Sequence, residues 1–157
     1  MNDFQLTTNP KVAKITLTKA PDRPGIAAQI FGSLWSHGLN VQLIVSSSGT
    51  EGKVNITFAI DRNDLNHAIF ELKSIKEEIG AQGLDIDKKV ALITISHPRL
   101  AQTPGVGSRI FGTLSKVKIN VEAVSSSSNS LTCMIAEGEL PQAIEALQKE
   151  FALPKAG

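Results

Sequence analysis

Between Val54 and Ile60 apolar and polar positions alternate without a break. Val54, Ile56, Phe58 and Ile60 face one way, and Asn55, Thr57 and Ala59 the other. A period of two predicts a strand with one buried face. Val12 to Thr18 alternates as well, with Ala13, Ile15 and Leu17 opposed to Lys14, Thr16 and Thr18. Between these strands the period lengthens. Ile26, Ile30, Phe31 and Leu34 form a helical stripe. Pro24 is placed in its first turn, where a missing N–H is not needed, and Gly38 at its end. Asn40 to Val45 reads as a strand and Ser46 to Gly52 as a polar turn. Asp61 or Asn63 is positioned to cap a second helix, with Leu65, Ile69, Leu72, Ile75 and Ile79 as its stripe and Gly80 as its stop. Leu84 and Ile86 mark a short closing strand. The predicted order is β-α-β-β-α-β.

The same pattern then starts again. Pro24-Gly25 returns as Pro104-Gly105, Ile30-Phe31-Gly32 as Ile110-Phe111-Gly112, Asn40-Val41 as Asn120-Val121, and Ser46 to Ser48 as Ser126 to Ser128. The second copy predicts strands at Lys89 to Ile95, Ile119 to Val124 and Leu131 to Ile135. Its helices are Val106 to Leu114 and the stripe Leu140, Ile144, Leu147 and Phe151, with Pro141 near the start. It lacks a fourth strand before the chain ends at Leu153 to Gly157. Phe4 to Thr7 stands unused ahead of the first copy. The economical reading is a first domain at 12–88, inserted in a second made of 2–8 plus 89–153. The fold class is α+β, two ferredoxin-like units with antiparallel sheets and both helices on one face.

Composition narrows the function. A net charge of +1 with scattered lysines and arginines carries no electrostatic footprint for nucleic acid or anionic lipid. No apolar run approaches the ~20 residues of a membrane span, and Met1 to Pro10 lacks the apolar centre of a signal peptide. One cysteine, Cys133, permits no internal disulfide and points to the cytoplasm. Flanked by Leu131 and Ile135, it reads as a buried thiol. His37, His67 and His97 share no metal-ligand spacing, and His37 and His67 fall on helix surfaces. Asp61 and Asp64, or Asp85 and Asp87, are better explained by helix capping and a strand's solvent face than as catalytic pairs. No nucleophile–base set, metal site or cofactor cradle can be assembled. Trp35, beside Leu34, is expected at an interface or core edge.

The repeated loop has two readings. Pro-Gly can simply begin a tightly packed helix. Alternatively, the N–H groups of Gly25, Ile26 and Ala27 point out of the helix start, where a carboxylate or phosphate binds. Asp22 then holds an ammonium group, and Gly25 leaves room for the ligand. The pair suits an amino acid. In the second loop Gln102 and Thr103 replace Asp22 and Arg23, so the acid is lost and the anion end kept.

"APDRPGIAAQIFGSLWSHGLNVQLIV" and "SHPRLAQTPGVGSRIF…INVEAVSSSSNSLTCMI" resemble the helix-opening and strand segments of ACT domains, and the layout resembles the tandem ACT pair of aspartate kinases. The resemblance covers Phe4 to Phe151. It implies a regulatory module that binds lysine, threonine or both, inhibits a separate kinase domain and forms a homodimer. By position it assigns Asp22, Pro24, Gly25, Ile26 and Ala27 with Asn40, Gln42 and Ser46 to a first effector site. A second comprises Thr103, Pro104, Gly105, Val106 and Gly107 with Asn120, Val121 and Ser126. Ser46-Ser47 stands where many threonine-sensitive members have Gln-Asn, and Ser125 to Ser130 lacks the family's Glu and Ile. Two other readings stay open: a stand-alone ACT-pair sensor serving another enzyme or a transporter, and an RNA-binding protein of the same plan. The last requires aromatics on the sheet face, and Phe58 alone sits on a middle strand, in an apolar row.

Overall fold

The computed structural model describes residues 2–155. Met1 and the final Ala156-Gly157, read above as parts of the polar start and the tail, lie outside them. The elements are β1 (Gln5–Pro21), α1 (Ile26–Ser36), β2 (Val41–Ser48), β3 (Lys53–Asp61), α2 (Leu65–Ile79), β4 (Gly83–Ser96), α3 (Val106–Lys116), β5 (Ala123–Ser126), β6 (Ser130–Ala136) and α4 (Leu140–Glu150). The chain divides into two compact units, Val12–Lys88 and the residues before and after it. β1 and β4 each pass from one unit into the other. The segment Phe4 to Thr7 is therefore no separate strand but leads into β1, which runs on through Thr8, Asn9, Pro10 and Lys11. Likewise Leu84-Ile86 and Lys89-Ile95 belong to one strand, β4.

In the Val12–Lys88 unit the strand order is β2-β3-β1-β4. β3 pairs antiparallel with both β1 and β2. The face carrying Ala13, Ile15, Leu17, Ile56, Phe58 and Ile60 packs on α1 through Ile30, Phe31 and Leu34, and on α2 through Leu65, Ala68, Leu72 and Ile75. Phe31 meets Phe58 edge-on at 5.4 Å, a favoured aromatic geometry. The other unit repeats the plan as β5-β6-β4-β1. Ile93, Ile95, Leu131, Cys133 and Ile135 pack on Ile110 and Leu114 of α3 and on Leu140, Ala143 and Leu147 of α4, with Phe4 and Leu6 against the same core. Cys133 takes the place of Phe58 there, and Phe111, the counterpart of Phe31, stays 40% exposed.

The repeat extends to details that hydrophobic patterning does not reveal. Thr16 pairs with Thr57 and Thr94 with Thr132 in register, and their hydroxyls meet at 3.0 and 2.7 Å. Three predicted boundaries move. Ser46 to Ser48 continue β2 instead of turning, because an edge strand tolerates polar side chains on both sides. Residues 119–122 are not strand; Ile119 is an apolar plug, 5% exposed, behind Lys118 at φ 61°. Asp61 caps nothing with its side chain. Its Oδ1 accepts from Gln42 Nε2 at 3.1 Å, and the 3₁₀ turn Arg62–Asp64 leads into α2.

Candidate functional site: two helix-opening turns

Pro24 precedes the helix and is not part of it. Gly25 is the N-cap of α1, at φ 91° and ψ −9°. Those angles belong to the third position of a type II turn, which favours proline before it and glycine in it. The Ile26 N–H closes the turn on the Arg23 carbonyl at 3.3 Å. Gly105 repeats the conformation at φ 87° and ψ −3°. Glycine is required for the positive φ; no atom lies within 4 Å of where a Cβ would stand on either residue. The dipeptide is written twice because α1 and α3 are each entered through a glycine in this left-handed conformation.

The turn decides which amides are available. Ile26 N–H is used in the turn, contrary to the sequence expectation. The N–H groups of Gly25, Ala27 and Ala28 find no acceptor among the described residues, and Gln29 N–H is the first to bond the helix, to Gly25 O at 2.9 Å. In the second copy Val106 N–H, the counterpart of Ile26, makes no such turn bond: the N–H groups of Gly105, Val106, Gly107 and Ser108 find no acceptor among the described residues, and Arg109 N–H bonds Gly105 O at 3.0 Å. Pro24, Gly25, Ala27, Pro104 and Gly105 are exposed, while the Ile26 and Val106 side chains anchor the helices in their cores. Each turn thus holds a row of free donors against solvent, at the positive end of a helix dipole.

Asp22 is exposed, and its N–H donates to Gly52 O at 2.9 Å, tying the loop to the β2–β3 hairpin. Its carboxylate has no cationic partner among the described residues. The second loop differs. Leu100–Gln102 forms a 3₁₀ turn, and Thr103 Oγ1 donates to Arg99 O at 2.8 Å. Arg109 stands where the first helix has Gln29. Its guanidinium is held by Glu150, at 3.1 Å to Oε1 and 3.0 Å to the carbonyl, and lies 4.3 Å over the Phe151 ring. Sequence spacing gives no hint of this arginine, because Glu150 lies 41 positions away.

Strand register places the other predicted residues. Pro21 pairs with Lys53, and Ser48 with Val54, so the Pro24-Gly25 loop shares its end of the sheet with the end of β2. Ser46, opposite Ile56, lies toward that end. Gln42 pairs with Ala59 and Val41 with Ile60, so Asn40 and Gln42 lie roughly 15–20 Å of strand away. The second unit is alike. Ala101 N–H bonds Ser128 O at 3.0 Å near Ser126, whereas Glu122 N–H bonds Met134 O, leaving Asn120 and Val121 at the far end. Within one unit the structure does not bring Asn40, Gln42, Asn120 or Val121 to the turns.

His37 and His67, read as separate surface residues, come together. Their Nε2 atoms lie 3.4 and 3.8 Å from the Glu71 carboxylate oxygens, joining the end of α1 to α2. No group of three or more His, Cys, Asp or Glu among the described residues is arranged to hold a metal ion. Burial pushes the Cys133 thiol up to about 12. Below pH ~9 the thiol is neutral both folded and unfolded; between there and 12 only the unfolded chain ionises, so stability falls as pH rises through that window. At pH 8 Cys133 is expected to react with iodoacetamide only as fast as the chain opens. Labelling as rapid as in denaturant would contradict its burial.

The chain belongs to the ACT domain family, whose model matches residues 18–74 and 93–151. An aspartate kinase of Stutzerimonas stutzeri is 33% identical over 141 residues, covering 90% of this chain and 34% of that protein. An aspartokinase of Pseudomonas aeruginosa matches to the same extent. The chain thus spans about a third of these relatives. Among solved structures, the regulatory subunit of aspartate kinase from Thermus thermophilus superimposes with a TM-score of 0.87 at 25% identity, over 93% of this chain and 96% of that one. A chain from a structure of aspartokinase alpha and beta subunits gives 0.86 at 27% identity, over 94% and 97%. No helix of the described residues is long and apolar enough to cross a membrane.

Proposed function

We propose that this chain is the allosteric amino-acid-binding module of an aspartate kinase, acting in the cytoplasm as a homodimer. It takes threonine or lysine at the Pro24-Gly25 turn and transmits inhibition to a kinase domain that phosphorylates aspartate. The observation that carries the reading is the twice-built turn with its row of free amides on an exposed helix start. Similarity to a regulatory subunit over nearly the whole of both chains supports the partner. The structure of E. coli aspartokinase III in complex with lysine and aspartate shares this fold at 20% identity.

The chemistry follows from the donors. The amides of Ala27 and Ala28 receive the effector's carboxylate, and the Asp22 carboxylate receives its ammonium. Asn40 and Gln42, too far off in their own unit, would reach such a ligand only from a second copy of the chain. The second turn offers amides without an acid and binds more weakly or stays empty. A coupling of ~1–3 kcal/mol between effector and kinase suffices for feedback.

A ligand held between two copies tightens the dimer by mass action. Sedimentation of the chain at micromolar concentration is expected to show dimer, with the monomer fraction falling when threonine or lysine is added. Only monomer, with and without effector, would count against the homodimer.

A further inference from the structure

Near the end of β1 the Val12–Lys88 unit carries a polar hollow of about 550 Å³, lined by Thr18, Lys19, Glu51, Lys53, Asn55 and Gln82 among others. It is built around a β-bulge between Leu17 and Ala20. Lys19 occupies that bulge at φ 52°, a left-handed conformation that glycine or asparagine adopts at lower cost than lysine. Bulges of this kind re-aim a side chain. This one is firmly held. Lys19 N–H donates to Asn55 Oδ1 at 2.9 Å, and Gln82 N–H donates to Thr18 O at 2.9 Å. Gly83 packs close beside it: a Cβ there would force the Thr18 hydroxyl to move.

The bulge gathers polar groups that the fold leaves unused. Neither Lys19 nor Lys53 has a carboxylate partner, and Thr18 Oγ1 has no hydrogen-bond partner, among the described residues. Glu51 is the one acid of the lining; against two lysines it leaves a net charge of +1. Two lysines and a threonine with a free hydroxyl lining one hollow match an anion with several negatively charged oxygens.

We propose that this hollow binds a small dianion, a phosphate or a dicarboxylate, between the Lys19 and Lys53 ammonium groups with the Thr18 hydroxyl as a third donor. The hollow shares the β2–β3 hairpin with the Pro24-Gly25 loop, but none of its lining residues belongs to that turn, and the proposal does not rest on the amino-acid reading.

The test is a titration of the whole chain with inorganic phosphate and, separately, with succinate, at constant ionic strength and with chloride as reference. Backbone amide shifts provide the readout. Saturable shifts confined to Thr18, Lys19, Lys53 and Asn55 are expected, and the anion that produces them identifies the ligand class. Lys19→Asn keeps a residue that tolerates the left-handed backbone, and Lys53→Gln leaves the bulge untouched. Each should weaken binding about tenfold or more. Shifts that do not saturate, that spread over all surface lysines, or that persist unchanged in both variants would overturn the site.

Discussion

Deleting residues 1–8 is expected to unfold the unit formed by the rest of the N-terminal strand and Lys89 onwards, while Val12–Lys88 keeps its core. Phe4 lies 4.8 Å from the Phe151 ring and 4.5 Å from the His97 ring, centroid to centroid. Asn2 Nδ2 donates to Phe151 O at 2.6 Å, closing the end of α4. Leu6 packs on the same core. Loss of a packed aromatic alone costs about 3–5 kcal/mol, toward the lower end here because Phe4 is only half-buried. The deletion also opens a sheet edge along β4. A deficit of that size is a large share of the stability of a small unit. Hydrogen exchange reads it directly: β5 and β6 should lose most of their protection. Equal protection in the truncated chain would show that the N-terminal strand is not part of that unit's fold.

Replacing Gly25 with valine is expected to remove amino-acid binding. A Cβ meets nothing within 4 Å in the chain, so the cost is not one of packing. It lies in the backbone. Valine at φ 91° is a steric outlier, so the type II turn should rearrange and scatter the amides of Gly25, Ala27 and Ala28. The core under Ile26 and Ile30 should survive, with a loss of ~1–2 kcal/mol for the strained turn. Binding should fall at least a hundredfold, equivalent to ~2.8 kcal/mol. Asp22→Ala should weaken binding only about tenfold, since Asp22 is exposed and a charge-assisted bond there contributes the low end of its range, roughly 1.5 kcal/mol, and the amides remain. Gly105→Val should change little if the second turn is the weaker site. Binding by Gly25→Val equal to wild type would mean that the turn only starts a helix.

Much of this arrangement is legible in the residues. Phe58 and its neighbours alternate because one face of β3 is buried, and Pro24-Gly25 and Pro104-Gly105 return because α1 and α3 both start from a glycine at positive φ. Elsewhere local pattern and structure part company for physical reasons. Thr8 to Lys11 are polar and include a proline, yet they continue β1, because a long strand serving two units need not bury a face at every step. Serines at 46–48 look like a turn but belong to an edge strand. Pro24 satisfies the rule for a first helical residue and also the rule for the second position of a type II turn. Only the φ of Gly25 decides between them. The His37–His67–Glu71 cluster and the Arg109–Glu150 pair depend on helix packing and have no spacing signature. The resemblance groups Asn40 and Gln42 in one site with the turn, whereas antiparallel register puts them at the other end of the sheet within their own unit.

Calorimetric titration of the intact chain with threonine and with lysine tests most directly whether the Pro24-Gly25 turn is an amino-acid site. Saturable heat with at least one of them in wild type, reduced by Asp22→Ala and lost in a folded Gly25→Val, is the predicted result. No heat, and no shift in melting temperature, with any proteinogenic amino acid at millimolar concentration would contradict it.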